Sequence, residues 1–225
     1  MANLAVLPRV TDPRTLAEVS LLQASLELQL SRYSSCRTLL LRARVFYQLL
    51  GDSVGEAKVR LKLGNWYFFR EQPQKAIEQL RPALEFDLSA APRIALAIYL
   101  NLARFQVFAR HLEEAEVCLD IVEQCGGVLR GTEAIYPGWT RGCLLLEQGN
   151  WGEAERLLLR ARERLMSSGE HFDAAMLAID LSRVYQQQGR IEQVHQTMRP
   201  VESMLQTESF AKEASILMSR LRQSA

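Results

Sequence analysis

One apolar pattern recurs five times along the chain at nearly constant spacing. A small residue is followed four positions later by a large apolar residue and then, three positions on, by another small or apolar one, so that the three share one helical face. The five sets are Cys36/Leu40/Ala43, Ala76/Leu80/Ala83, Ala115/Leu119/Val122, Ala154/Leu158/Ala161 and Val194/Met198/Val201. Their first members recur at a nearly fixed interval of about 40 residues. A period this regular predicts a solenoid, in which each repeat packs on its neighbours.

A second helical segment precedes these sets, and short polar phrases separate the two segments. The phrases are Glu71-Gln72-Pro73-Gln74, Gln148-Gly149-Asn150-Trp151 and Gln188-Gly189-Arg190. Glycine suits a helix C-terminus that needs a left-handed residue, and Pro73 suits the first turn of the next helix. Each repeat is therefore predicted to be a pair of antiparallel helices joined by a short turn.

The second repeat resembles the tetratricopeptide repeat, whose signature is W-x2-L-G-x2-Y, then alanine, a large apolar residue, alanine and proline. The matching residues are Leu63, Gly64, Tyr67, Ala76, Leu80 and Ala83, while Arg60 replaces the tryptophan and Leu88 the proline. The usual period is about 34 residues. The longer period of this chain implies longer connections, for example at 88–92 and 124–132. It also lies in the range of HEAT and armadillo repeats, but Gly64 and Ala76 favour the tetratricopeptide assignment.

These features predict an all-α fold, a right-handed α-solenoid of antiparallel helix pairs. We expect five pairs over residues 11–206, after an N-terminal segment at 1–10 and before a C-terminal capping helix within 207–225. The apolar residues Phe210, Ala214, Leu217 and Leu221 share one face of that last helix. The opposite face is polar, as the end of a solenoid requires.

The first helix carries apolar residues on two nearly opposite faces. One stripe contains Val19, Leu22, Leu26 and Leu30, and the other contains Ala17, Leu21, Ala24 and Leu28. In one interpretation, one stripe packs on the partner helix and the other on the next repeat. In the other interpretation, an exposed apolar face that includes Leu21 and Leu28 docks a partner protein or a second copy of the chain, forming a homodimer.

The resemblance implies that the first helices of the pairs line a concave groove. The expected groove residues are Lys58, Lys62, Asn65 and Phe69 in the second repeat, Asn101, Arg104 and Phe108 in the third, Tyr136 and Trp139 in the fourth, and Asp180 and Arg183 in the fifth. Asparagine amides can pair with a peptide backbone, basic groups with acidic ones, and aromatic rings can anchor apolar side chains. The same aromatic residues can instead belong to the core between repeats.

The resemblance does not extend to the family's carboxylate clamp. Family members that clamp a C-terminal carboxylate use lysine, asparagine, asparagine, lysine and arginine at set places. Asn65 and Asn101 match the two asparagines, but Leu61 replaces the first lysine. Tyr136 and Thr140 replace the last two basic residues. We therefore expect no clamp of that kind.

Composition excludes several other classes. With 27 basic and 26 acidic residues the net charge is +1, which gives no general attraction to nucleic acid or to an anionic membrane. We expect no signal peptide, because the first ten residues lack a basic segment and a long apolar core, and no transmembrane helix, because no apolar run of about 18 residues occurs. The four cysteines form no C-x-x-C pair and lie in apolar helical patterns. These features are typical of a cytoplasmic protein with reduced thiols.

The sequence contains no recognisable catalytic or metal-binding motif. His111, His171 and His195 lie at or near predicted turns or on a second helix, and no H-x-x-x-H pair occurs. A phosphate-binding loop, a dinucleotide fingerprint and G-x-S-x-G are also absent from the sequence. We therefore expect no catalysis, no metal and no cofactor.

The predicted function is that of a protein–protein interaction scaffold or adaptor. It would grip a segment of a partner protein in the groove, in a bacterial regulatory or assembly system. The alternative is a ligand-responsive regulator, in which a peptide or small molecule in the groove changes the solenoid and hence the binding of a partner. A nucleic-acid-binding helical repeat is disfavoured by the near-neutral charge.

Overall fold

The computed structural model describes residues 12–29 and 32–205, which form ten α-helices and no strand. The helices are α1 (Pro13–Gln29), α2 (Tyr33–Leu49), α3 (Ser53–Phe68), α4 (Pro73–Leu80), α5 (Pro92–Phe108), α6 (Leu112–Gln124), α7 (Tyr136–Glu147), α8 (Trp151–Ser167), α9 (His171–Gln187) and α10 (Ile191–Leu205). Helices adjacent in sequence pack together, which gives five pairs from α1/α2 to α9/α10. The predicted all-α solenoid of five pairs is confirmed over these residues. Leu30, the segment 1–10 and the expected capping helix lie outside them.

The helix starts repeat with the period of the sequence pattern. The even-numbered helices begin at Tyr33, Pro73, Leu112, Trp151 and Ile191, and these positions have the same nearly constant spacing as the apolar sets. The odd-numbered helices keep the same intervals if the fourth is counted from the 3₁₀ segment Gly131–Ile135 that leads into α7. Every pair therefore uses almost the same length of chain.

The small residues of the pattern allow close contact within each pair. Ala76, Ala115 and Ala154 are completely buried, as are Leu80, Leu119 and Leu158 four positions later. Opposite them, a Cβ atom added to Gly142 would lie 2.8 Å from Leu158 Cγ, and one added to Gly64 would lie 3.3 Å from Leu80 Cγ. The two glycines are needed because the neighbouring helix leaves no room for a side chain.

The turns that follow α3, α5, α7 and α9 each contain a left-handed residue. The φ angles at Glu71, Arg110, Gly149 and Gly189 are 58°, 63°, 81° and 72°. The next residue donates its backbone N–H to a carbonyl five positions earlier, as in Asn150 N to Leu145 O at 2.9 Å and Arg190 N to Tyr185 O at 2.9 Å. This is the Schellman motif, which satisfies carbonyls at the end of a helix. The predicted turn phrases are confirmed.

Two of the connections between pairs, after α4 and after α6, are long. Helix α4 stops at Leu80 and continues as the 3₁₀ segment Arg81–Glu85, because Pro82 cannot continue an α-helical hydrogen-bond ladder. An extended loop then leads to α5. The connection after α6 contains the second 3₁₀ segment, Gly131–Ile135. These are the two long connections that the sequence predicts.

Buried apolar residues form one large central cluster and two smaller clusters at the ends. The central cluster joins α3 to α9, the N-terminal one joins α1, α2 and α3, and the C-terminal one joins α9 and α10. Among the described helices, none is long and apolar enough to cross a membrane.

Candidate binding groove

The odd-numbered helices α3, α5, α7 and α9 meet at a cavity of about 230 Å³. Six of its lining residues are aromatic, and these are Phe68, Phe69, Phe108, Tyr136, Trp139 and Phe172. The remaining residues are Asn65, Leu100, Asn101, Arg104, Thr140, Cys143, Asp173 and Met176. We call this space the aromatic cavity. Four consecutive repeats contribute to it through their first helices only.

One wall of the aromatic cavity holds Arg104 in a fixed position. Arg104 Nη2 donates hydrogen bonds to Asn65 Oδ1 at 2.6 Å and to Asn101 Oδ1 at 3.1 Å. The guanidinium also lies 4.8 Å from the centre of the Phe68 ring. Asn101 Nδ2 donates to Ala97 O at 2.8 Å. Both the oxygen and the nitrogen of the Asn101 amide therefore form hydrogen bonds within the chain. The side chains of Asn65 and Asn101 together position the Arg104 guanidinium.

The opposite wall joins α7 to α9 through two polar contacts. Tyr136 Oη donates to Asp173 Oδ2 at 2.5 Å, and Trp139 Nε1 donates to Asp180 Oδ2 at 2.9 Å. The two rings stack with their centroids 6.1 Å apart. Burial raises the pKa of Tyr136, and the hydrogen bond to Asp173 raises it further. Tyr136 therefore stays protonated over the physiological range and acts as a hydrogen-bond donor.

A second and a third cavity continue from the aromatic cavity towards the C-terminal ends of the odd-numbered helices. The second, of about 360 Å³, shares Phe68, Phe108 and Cys143 with the aromatic cavity. The third, of about 230 Å³, shares Arg110, Glu147 and Arg183 with the second. The three spaces are neighbours in one row.

Paired charges dominate the far end of this row. The Glu147 side chain is only 8% exposed and forms ion pairs with both Arg110 and Arg183. Arg183 Nη2 lies 2.6 Å from Glu147 Oε1, and Arg183 Nη1 lies 3.9 Å from Asp180 Oδ1. Because these charges neutralise one another, the far end is polar without a strong net charge.

The structure brings seven of the eleven predicted groove residues together in the aromatic cavity. They are Asn65, Phe69, Asn101, Arg104, Phe108, Tyr136 and Trp139. Asp180 is buried behind Trp139, and Arg183 lines the second and third cavities. The two lysines do not line the aromatic cavity. Lys58 is exposed, and Lys62 is half-buried close to Cys36, where burial lowers its pKa.

The sequence interpretation missed Phe172 and Asp173 at the start of α9, and Phe68 on α3. Met176 lies one repeat period after Tyr136, so the repeat could have pointed to it. Phe172 lies four positions before Met176, on the same face of α9. Extending the predicted face of α9 from Asp180 by two turns towards the helix N-terminus would have found Phe172.

The end-docking face that includes Leu21 and Leu28 requires a correction. Both side chains pack on the N-terminal cluster, beside the buried Ala17 and Ala24. The opposite stripe is the exposed one, with Val19 41%, Leu22 67% and Leu26 59% exposed. The faces are assigned this way because α1 packs mainly on α2 and has no preceding repeat among the described residues. The homodimer through this helix stays a prediction.

Other chemistry in the described residues is limited. No group of three or more histidine, cysteine, aspartate or glutamate side chains there is placed to hold a metal ion. Cys36, Cys118 and Cys143 are buried thiols, and Cys125 is an exposed thiol. Compared with models of known protein families and with curated proteins, the chain shows no significant match to either.

Proposed function

We propose that this chain is a tetratricopeptide-like scaffold that binds a segment of a partner protein in the groove formed by its odd-numbered helices. The observation that carries the proposal is the aromatic cavity, which four consecutive repeats build with their first helices. Aromatic side chains are the commonest anchors of protein–protein interfaces, since they bury a large apolar area at a small cost in side-chain entropy.

The repeat pattern supports the tetratricopeptide-like part of the proposal. Gly64 and Ala76 meet within one pair, where a Cβ on Gly64 would lie 3.5 Å from Ala76 O. The same contact recurs between Gly142 and Ala154 in the fourth repeat. The connections after α4 and α6 are long, whereas three residues join α2 to α3 and α8 to α9, and α2 and α8 are 17 residues long. The resemblance in the helix pairs is thus compatible with a longer period.

Binding is favoured over catalysis because the carboxylates around the groove have hydrogen-bond or ion-pair partners. Asp173 accepts from Tyr136, Asp180 accepts from Trp139, and Glu147 is paired with Arg110 and Arg183. A general base needs a carboxylate or imidazole that can take a proton from a bound substrate. Buried free thiols such as Cys36 also favour a reducing compartment, and we propose the cytoplasm.

Selection from a random peptide library on the full chain tests the proposal. Binding of the selected peptides is then measured on two glutamate variants. Phe69→Glu places a charge on the wall of the aromatic cavity. Val117→Glu makes the same chemical change at a side chain of α6 that is 60% exposed and lies outside the cavity. Circular dichroism and thermal unfolding establish that both variants are folded.

We expect Phe69→Glu to weaken binding by at least about tenfold and Val117→Glu to leave it within about twofold, since tenfold corresponds to about 1.4 kcal/mol, well within the range of interface anchors. A library that yields no peptide sensitive to Phe69→Glu would reject the groove as the binding surface.

The position of the aromatic cavity also favours a second candidate, a ligand-responsive regulator. Four helices from four repeats meet there, so a compact ligand that fills the space would fix the spacing of those repeats. Thermal unfolding of the isolated chain in the presence of peptide and metabolite pools tests this candidate. A small effector raises the unfolding temperature of the wild type and not of Phe69→Glu. No shift with any pool would rule it out.

A further inference from the structure

The three cavities of the groove follow the direction of the odd-numbered helices. On α9 the row runs from Phe172 and Asp173 to Arg183 and Gln187, and on α7 from Tyr136 to Glu147. Neighbouring cavities share lining residues, so a bound chain could pass from one to the next without leaving the surface. The row therefore has a direction and a length.

Helix geometry sets that length. From Phe172 to Gln187 the helix rises by about 22 Å at 1.5 Å per residue. An extended peptide covers about 3.3 Å per residue, so about six or seven residues span the row. A shorter ligand would leave one end of the row empty.

The two ends of the row differ in chemistry. The aromatic cavity, at about 230 Å³, is smaller than the pockets of about 300–1,000 Å³ that hold drug-sized ligands. It suits one large apolar side chain. The far end is lined by Arg110, Glu147 and Arg183, whose charges are already paired. A further charge placed there would compete with these pairs, so uncharged polar groups fit better.

We propose that the groove binds an extended partner segment of about six or seven residues that lies along the odd-numbered helices. One large aromatic or aliphatic side chain of that segment occupies the aromatic cavity. Uncharged polar residues of the segment lie over the end that contains Glu147. This inference rests on the proposed function and adds the length, the direction and the sequence type of the bound segment.

Photo-crosslinking with a peptide selected on the full chain tests the geometry. Two versions of the peptide are made. One carries benzophenone at the apolar anchor, and the other carries it five or six residues away at the polar end. Crosslinked residues are identified by mass spectrometry. The anchor probe should label residues at Phe69, Tyr136 or Phe172, and the distant probe residues at Arg110, Gly149 or Gln187.

Changes in the peptide provide a second measurement that does not depend on the folding of a variant protein. We expect alanine at the anchor to weaken binding by at least about tenfold, and peptides cut to seven residues to keep their affinity within about threefold. Replacing one polar residue at the far end with aspartate or lysine should weaken binding, whereas replacing it with serine should not.

One result would contradict the proposed arrangement of the bound segment, and another would contradict the proposed function. In the first case Phe69→Glu abolishes binding, but both probes label the same end of the row or alanine at the anchor leaves the affinity unchanged. The groove then binds a segment, and the proposed arrangement of that segment is wrong. If the labels fall on the even-numbered helices and Phe69→Glu has no effect, the proposed function itself is wrong.

Discussion

A residue with left-handed backbone conformation recurs at the same position of four consecutive repeats. Glu71, Arg110, Gly149 and Gly189 follow one another at intervals of one repeat, and all have positive φ angles. Only glycine adopts this conformation without a steric cost between Cβ and the following carbonyl oxygen. Glu71 and Arg110 carry a side chain despite that cost, and the Arg110 side chain forms an ion pair with Glu147 of the next repeat.

Gly149→Ala should therefore destabilise the chain through the backbone alone. No atom lies within 4 Å of the added Cβ, and φ is 81°. We expect a loss of about 1–2 kcal/mol in the free energy of unfolding, measured by urea denaturation. The control is Gly152→Ala, three residues later in α8, where the added Cβ also meets open space. It should be neutral or stabilising by up to about 1 kcal/mol. Equal effects of the two changes would contradict this account.

The four cysteines should differ strongly in reactivity. Cys125 is exposed, whereas burial raises the pKa of the Cys36 and Cys118 thiols to about 11. Because the thiolate is the reactive form, a raised pKa lowers its fraction at pH 8. A thiol reagent at pH 8 should label one cysteine quickly in the native protein and all four after unfolding. Cys125→Ser should remove the fast reaction, and fast labelling of Cys36 would show that α2 opens.

At the scale of helices, the close contact within a pair depends on glycine. Gly142 of α7 faces Leu158 of α8, which is completely buried. Gly138 lies one turn earlier on α7, and no atom is within 4 Å of its added Cβ. The same substitution on the same helix therefore meets a packed interface in one case and open space in the other.

Gly142→Ala should destabilise the chain by about 1–3 kcal/mol, because the helices or the Leu158 rotamer must shift to admit the methyl group. Gly138→Ala should stabilise it by up to about 1 kcal/mol through helix propensity. Thermal and urea unfolding of the two variants measure the difference. If Gly142→Ala is as stable as the wild type, the pair tolerates a wider separation than the structure indicates.

At the scale of the whole molecule, the interior is divided unevenly among the repeats. The central cluster joins α3 to α9, whereas α1 belongs to a smaller cluster and exposes Val19, Leu22 and Leu26. In a solenoid each repeat is stabilised mainly by its neighbours, so a repeat with one neighbour opens more easily.

Hydrogen exchange should therefore be faster in α1 than in α7. We expect protection in α1 to be lower by at least about tenfold, which corresponds to about 1.4 kcal/mol. Exchange measured by mass spectrometry on peptides from each helix tests this, with α5 as a second central reference. Equal protection in α1 and α7 would mean that the described chain opens as one cooperative unit.

Much of this architecture could be predicted because it follows from local periodicity. The regular spacing of the repeats, the buried face of each second helix and the turn positions all appear in the sequence as repeated residue types. The sequence could not show which apolar stripe of α1 is exposed. Two apolar faces on one helix do not indicate which of them packs on another helix. The support of Arg104 by Asn65 could not be foreseen either, since it joins side chains on two helices of different repeats.

The repeated turn geometry makes the chain modular for protein engineering. His111 and Asn150, the residues that precede α6 and α8, have backbone angles of −89°/69° and −87°/68°. Each follows a left-handed residue, Arg110 or Gly149. Removal of residues 111–149 would therefore join α5 to α8 through a junction of native shape, and would delete one repeat length of chain. The groove could thus be shortened or lengthened by whole repeats, with the turns serving as standard connectors.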